Sequence, residues 1–415
     1  MPKENKIAII GLGYVGLPLA IAFSKFYKVI GFDIDTDRVN ELNDSFDSNA
    51  DISFEINENI KFTDKEKDLF VADIYIITVP TPVTSKNIPD LSILERATKT
   101  VATYLRKGDI VIYESTVYPG VTEDICVPIL EKLSGFKYNA DFYCGYSPER
   151  ISPGAEKYSL ENVVKVTSGS TLEVADDIDR MYQKIIKAGT YQAPSIKVAE
   201  AAKVVENTQR DINIALMNEL SMMFDKMNIE TSEVLSAART KWNFLDFKPG
   251  LVGGHCIGVD PYYLLHKSEE IGYKPTLLHS SRSINNKIAS FIVEKTKELL
   301  SNTDKVISES SVLILGYTFK ENCSDTRNTK VKDIYDSLVE SSCRVSIYDP
   351  YILPDSDNNF INNPFESDQK YDAIIVAVAH NEFLKYSIDD FYNLSKGKLV
   401  FLDLKGIYEK SSWKL

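Results

Sequence analysis

Residues 6–16 read KIAIIGLGYVG: an apolar, largely β-branched run ending in Gly11-Leu12-Gly13-Tyr14-Val15-Gly16, with a helical pattern after it. In a strand–turn–helix unit the first glycine allows the tight turn. The second lets a pyrophosphate approach the backbone, and the third lets helix and strand pack closely. The helix N-terminus then offers N–H groups and a positive dipole end to phosphates, which places Tyr14 and Val15 beside the three glycines as expected cofactor contacts. A second run, KVIGFD at 28–33, ends in Asp33 about 20 residues beyond Gly13. A carboxylate there accepts hydrogen bonds from a ribose 2′-hydroxyl and repels a 2′-phosphate, so the expected cofactor is NAD rather than NADP. Arg38, a nearby cation able to meet a 2′-phosphate, belongs to the same expected site.

Outward from this unit, ADIYIITV (72–79), DIVIYES (109–115) and DFYCGYS (141–147) are further runs with fully apolar centres, separated by helical patterns. Strands covered on both faces read this way, and the alternation predicts a parallel doubly wound sheet. From about Ser195 to Asn228 the chain has no glycine or proline, and its apolar residues recur every three or four positions. The pattern predicts one helix of ~45 Å, which connects two domains or packs against its copy in a dimer. After Ser301 the alternation returns in SVLILGYTFK (311–320), CRVSIYDP (343–350), YDAIIVAVAH (371–380) and KLVFLDLKG (398–406), without a second GxGxxG. The expected fold is therefore α/β. Two Rossmann-like doubly wound parallel-sheet domains, 1–196 and 301–415, flank a long central helix and a helical region over 197–300.

The chain has 415 residues, room for two or three domains. With 47 Lys and Arg against 60 Asp and Glu, its net charge is −13, which argues against binding nucleic acid or an anionic membrane. A local basic pocket for one anionic small molecule remains compatible with that balance. Apolar runs such as AIIVAVA (373–379) fall short of the ~18 residues a membrane span needs. The N-terminus shows no signal-peptide pattern, and the five cysteines include no CxxC pair. The expectation is a reduced, cytoplasmic protein with neither a disulfide framework nor a metal site.

The chemistry concentrates in a few short stretches. Gly250-Leu-Val-Gly253-Gly-His-Cys256-Ile-Gly-Val-Asp260 wraps four glycines around a thiol, four residues before a carboxylate. That context makes Cys256 a candidate nucleophile. His255 beside it is not read as its dyad partner, because neighbours in an extended loop point apart. Cys126, Cys144, Cys323 and Cys343 fall in helical or strand patterns and read as core or near-core thiols. On the long helix Glu200, Lys203 and Asn207 share one face by spacing. The cation and the amide suit a developing oxyanion. Val79-Pro-Thr81-Pro82, Glu114-Ser-Thr116 and Ser147-Pro-Glu149-Arg150 follow the third, fourth and fifth strands. Ligands bind at such strand ends in open α/β sheets.

Taken in order, GLGYVGLP, VPTP, ESTVYPG, SPER, the Glu-Lys-Asn helix, PGLVGGHCIGVDPYYL and GYTFKENCSDTR resemble the UDP-glucose/GDP-mannose dehydrogenase family, from Lys6 to about Lys405. TKWNF (240–244) with GGHCIGVDPYYL looks most like the branch that oxidises UDP-N-acetylglucosamine or UDP-N-acetylgalactosamine. UDP-glucose, UDP-N-acetylmannosamine and GDP-mannose are the alternative substrates. The resemblance implies an NAD domain, a central dimerisation region and a C-terminal domain for UDP, working as a homodimer or higher homo-oligomer. It also implies a four-electron oxidation of C6 through a Cys256 thioester, using two NAD per sugar.

In that scheme Lys203 and Asn207 stabilise negative charge near C6. Asp260 acts on the hydrolytic water, and Glu149 is a further acid/base group. Thr81, Thr116 and Arg327 touch NAD. Glu149, Arg150, Lys203, Asn207, Lys241, Gly250, Gly253 and Lys320 line the substrate. Two positions depart from the family pattern. Val83 follows Val-Pro-Thr-Pro where relatives often carry Thr. Thr240, between Arg239 and Lys241, stands where glucose-specific relatives place an Arg that reaches the neighbouring subunit.

Overall fold

The computed structural model describes residues 5–48, 52–151, 159–354 and 359–415. The chain divides into two compact units, Met1–Glu206 with Tyr262–Tyr273, and Asn207–Pro261 with Lys274–Leu415.

In the first unit six strands form one parallel sheet. Their order is Ile60–Thr63, Lys28–Phe32, Lys6–Ile10, Ile74–Ile77, Ile110–Tyr113 and Tyr143–Tyr146. The order reverses between Lys6–Ile10 and Ile74–Ile77, the switch point at which doubly wound sheets bind dinucleotides. Helices cover both faces, which is why Ile7, Ile9, Ile74 and Ile76 on one side and Ala8, Ile10, Tyr75 and Ile77 on the other are all buried. One of these helices, Leu172–Gln183, starts where the Thr171 hydroxyl accepts the Val174 N–H. Its buried stripe of Val174, Ile178, Met181 and Tyr182 meets the sheet, and Tyr182 packs edge-on against Phe23 at 5.4 Å.

The second unit holds a five-stranded parallel sheet in the order Arg344–Tyr348, Ser311–Leu315, Ala373–Val376, Phe401–Asp403 and Trp413–Lys414. With this sheet's strands numbered along the chain the order is 2-1-3-4-5, the other common doubly wound arrangement. Helices Thr276–Ser301 and Val331–Glu340 bury Ile288, Ile292, Ile334 and Leu338 on one face, while Phe383, Phe391 and Phe401 fill the other. The expected α/β fold with two parallel sheets is thus what the chain adopts.

The long helix runs over Ile196–Lys226, within two residues of each predicted end. Six strands were not foreseen in the sequence: Ile60–Thr63, the two-residue Trp413–Lys414, Lys165–Thr167 paired with Thr190–Gln192 as a separate ribbon, and the short antiparallel pair Phe46–Asp47 and Ile52–Ser53. The run 311–320 is a strand only to Leu315, because Gly316 turns the backbone to φ +85°. Cys323 lies in the loop that follows, half-buried, rather than in the strand or helix its pattern suggested. Among the described residues no helix is long and apolar enough to cross a membrane.

Candidate active site

The glycine turn has the geometry its sequence demands. Gly11 sits at φ +95°, and a Cβ there would lie 3.1 Å from Val79 Cγ1. A Cβ on Gly16 would fall 1.9 Å from the Gly11 carbonyl oxygen and 2.6 Å from Thr78 Oγ1, so helix and strand touch through it. Gly13 is different: a Cβ would meet nothing within 4 Å, which leaves the backbone open to a ligand. No side chain caps the helix that starts at Gly16, whose N-cap is Val15, and Tyr14 is exposed. An open second glycine and a helix start without a side-chain cap fit a dinucleotide pyrophosphate.

Asp33 supports this turn from the next strand, accepting the Leu12 N–H at 2.7 Å and the Asp35 N–H at 3.0 Å. Arg38 holds it from below. Its Nε and Nη2 donate to the Leu12 carbonyl at 3.0 and 2.9 Å, and Nη1 pairs with Glu41 and Asp47 at 2.6 and 2.7 Å. The guanidinium is buried in this work, so its geometry is that of a brace for the turn.

At the strand ends, Ser115 donates to the Val79 carbonyl at 2.5 Å, Thr81 donates to the Thr116 carbonyl at 2.6 Å, and Tyr263 donates to the Thr81 carbonyl. The VPTP and EST loops are therefore locked together. Beneath them Glu114, fully buried, pairs with Lys165 Nζ at 2.6 Å and accepts the Tyr182 hydroxyl. Burial pushes the Glu114 carboxyl up, against the pull of Lys165. Lys165 also donates to the Pro148 carbonyl at 3.1 Å and stands 3.9 Å from Glu149 Oε2. Glu149 Oε1 accepts the Arg150 and Ile151 N–H groups, while its buried Oε2 has no hydrogen bond among the described residues. Arg150 is tied to Glu206 at 2.9 Å and to the Val164 carbonyl at 2.7 Å.

On the long helix the three predicted residues separate in role. Glu200 is completely buried and accepts the Gly120 and Thr122 N–H groups at 2.6 and 2.9 Å, with burial pushing its carboxyl up to about 7. It anchors the turn after ESTVYPG. Lys203, only 7% exposed, makes no hydrogen bond or ion pair with a described residue. Asn207 donates to Asp260 Oδ2 at 2.5 Å.

Asp260 opens helix Asp260–Glu270, and its N–H donates to the Cys256 carbonyl at 2.8 Å. Cys256 is the exposed cysteine of the five. Its loop is seated on residues 317–329: Cβ atoms on Gly253 and Gly254 would come within 2.7 Å of the Asn328 carbonyl oxygen and of the Phe319 ring. Its start is clamped by Asn218, which accepts the Gly250 N–H at 2.8 Å and donates to the Gly250 carbonyl at 3.0 Å. Asn285, Asp211 and Arg282 continue this buried polar chain. His255 turns to Asp325 at 3.2 Å. Burial would raise the Asp325 carboxyl, but bonds from Arg327 and the nearby His255 outweigh it and hold it at about 2. Asn218, Lys165 and Asn285 have no sequence motif. Their partners lie 16 to 74 positions away, so only the fold reveals them.

Three family models match in sequence order: the UDP-glucose/GDP-mannose dehydrogenase NAD binding domain over 5–186, the central domain over 197–287, and the UDP binding domain over 313–410. The chain belongs to the UDP-glucose/GDP-mannose dehydrogenase family. It is 52% identical over 408 residues to UDP-N-acetyl-D-glucosamine 6-dehydrogenase of Salmonella typhi, covering 97% of this chain and 96% of that protein. With the Pseudomonas aeruginosa protein of the same name it is 48% identical, covering 98% of each. A solved UDP-D-ManNAc dehydrogenase from Pyrococcus horikoshii superimposes with a TM-score of 0.89 at 30% identity, covering 99% of this chain and 98% of that one. The glycine turn and Asp33 lie in this dehydrogenase's NAD binding domain, and NAD is its cofactor. Cys256, Asp260 and Asn207 lie in the family's central domain, and Lys320 and Arg327 in its UDP binding domain.

Proposed function

We propose that this chain oxidises C6 of a UDP-N-acetylhexosamine, UDP-N-acetylglucosamine foremost, to the uronic acid for polysaccharide synthesis. The observation that carries the reading is the exposed Cys256, four residues ahead of a helix whose first residue, Asp260, is held by Asn207. A two-electron alcohol dehydrogenase needs no such thiol. The higher identity to enzymes of the N-acetylglucosamine type favours that sugar over the N-acetylmannosamine type.

Gly11–Gly16, Asp33, Thr81, Thr116 and Arg327 would hold NAD, which supplies the hydride acceptor for both oxidations. In the first oxidation the C6 hydroxyl proton passes to water and the C6 hydride to NAD, leaving the aldehyde, and Lys203, a buried ammonium, balances the negative charge that develops on the oxygen. Cys256 sulfur then adds to the C6 aldehyde carbon, and the carbonyl oxygen becomes the oxyanion that Lys203 and Asn207 meet. Oxidation of that adduct leaves a Cys256 thioester. A water, oriented by Asp260 with Glu149 as a further acid/base group, adds to the thioester carbon; the C–S bond breaks, the proton returns to sulfur and the carboxylate leaves. Glu149, Arg150, Lys241, Gly250, Gly253 and Lys320 would line the sugar nucleotide.

We read the chain as three working parts, 1–196, 197–300 and 301–415, acting as a homodimer in the cytoplasm. The long helix exposes Val198, Val205, Leu216 and Met223, and Trp242 beside Arg239 and Lys241 is 92% exposed; a second copy of the chain would cover such surfaces. Five unbridged thiols fit a reducing compartment. The test is a panel of UDP-N-acetylglucosamine, UDP-N-acetylgalactosamine, UDP-N-acetylmannosamine, UDP-glucose and GDP-mannose with NAD. Two NADH per sugar with highest kcat/KM on UDP-N-acetylglucosamine is expected. One NADH per sugar would rule out the thioester route, and preference for another sugar would reassign the substrate.

A further inference from the structure

The crossover from Ser311–Leu315 to Arg344–Tyr348 repeats, bond for bond, the crossover that builds the glycine turn of the first unit. Gly316 at φ +85° matches Gly11 at φ +95°. Each donates its N–H across to the end of the second strand at 2.8 Å, Gly316 to Tyr348 and Gly11 to Phe32. Each second strand is followed by an aspartate whose Oδ2 accepts the N–H after the glycine: Asp349 from Tyr317 and Asp33 from Leu12, both at 2.7 Å. Each Oδ1 accepts the N–H two residues on, at 2.9 Å from Tyr351 and 3.0 Å from Asp35. Each glycine also abuts a valine just beyond the strand on its other side, Val378 after Ala373–Val376 and Val79 after Ile74–Ile77.

The two crossovers differ in what else meets the aspartate, because Asp349 Oδ2 also accepts the Thr318 N–H at 3.1 Å and faces a histidine. Asp33 is half-exposed, where a ribose hydroxyl is expected. Asp349 is buried against His380, itself wholly buried, with Nε2 3.0 Å from Asp349 Oδ2 and 3.2 Å from Thr318 Oγ1. On the ring's other edge Asn322 N–H donates to Nδ1 at 3.0 Å. A backbone N–H can only donate, so Nδ1 is the acceptor and Nε2 carries the proton given to Asp349. Thr318 Oγ1 donates to the Lys320 carbonyl at 2.9 Å, and Asn322 Oδ1 accepts the Asn381 N–H at 2.9 Å. The imidazole is a pin from a strand-end carboxylate to the loop that carries Lys320.

We propose that His380 is a positioning residue: it takes the place a ribose holds in the first crossover and fixes the 317–322 loop so that Lys320 meets the nucleoside diphosphate sugar. This rests on the substrate role given to Lys320 above. The two edges of the ring can be tested separately, because a Gln amide reaches the place of Nε2 and an Asn amide that of Nδ1. His380→Gln keeps a donor for Asp349 and loses the acceptor for Asn322. Its KM for the UDP-sugar should rise about ten-fold or more, with kcat, KM for NAD and the melting temperature near wild type. His380→Asn keeps the acceptor and leaves Asp349 short of a donor, so its melting temperature should fall while KM stays within about two-fold of wild type. Equal stability losses in both variants with flat KM would make His380 merely structural and overturn the proposal. Lys320→Ala separates the premises. Unchanged KM there removes the role of Lys320 and with it the proposal; raised KM there with unchanged KM in His380→Gln overturns the positioning role alone.

Discussion

Lys203 lies buried on the long helix with no carboxylate partner among the described residues. A buried ammonium in that condition is costly unless negative charge develops beside it. Replacement by Ala should lower kcat by about 100-fold or more, measured by NADH formation at saturating substrate. A lysine kept only for packing would instead lower the melting temperature and leave kcat alone. Cys256→Ser should abolish steady-state NADH production, and ordinary turnover by that variant would dismiss the thioester. Glu200 bears on stability rather than chemistry. Its folded value of about 7 is raised above the ordinary 4.5, so its contribution is full below pH 4.5 and is lost as pH rises through 7. The stability gap between wild type and Glu200→Ala, from urea unfolding, should therefore be larger at pH 5 than at pH 8, by up to about 3 kcal/mol.

At the scale of elements, buried strands and the glycine turn were legible because each announces itself locally. A strand covered on both faces is an apolar run, and a close helix–strand contact needs glycine at position 16. Ile60–Thr63 escaped because it is a four-residue edge strand with Lys61 exposed, and Trp413–Lys414 because two residues make no pattern. Helical spacing put Glu200, Lys203 and Asn207 on one face but carried no information about what covers each turn of that face. Only the fold shows Glu200 capping the turn at Gly120 while Asn207 meets Asp260. The cysteine loop was recognisable from its glycines, yet its clamp was not, since Asn218 belongs to an unremarkable helical stretch. Asn218→Ala would leave both polar groups of Gly250 without their partner, and kcat/KM should drop by about 10-fold or more, with the fold retained by circular dichroism.

Across the whole molecule, one topological idea is used twice, with strand order 3-2-1-4-5-6 in the first unit and 2-1-3-4-5 in the second. Only the first carries the three-glycine turn, so the sequence could name one nucleotide site and had to leave the other to family resemblance. The thiols are unevenly distributed over this architecture. Burial pushes Cys126 up to about 12, Cys343 up to about 11 and Cys144 well above its ordinary value, while Cys323 is half-buried and Cys256 exposed. An alkylating electrophile at neutral pH would thus find Cys256 first, and inactivation should track the first equivalent incorporated. The native chain already provides a selective attachment point for a dye or covalent inhibitor, at the residue proposed as nucleophile.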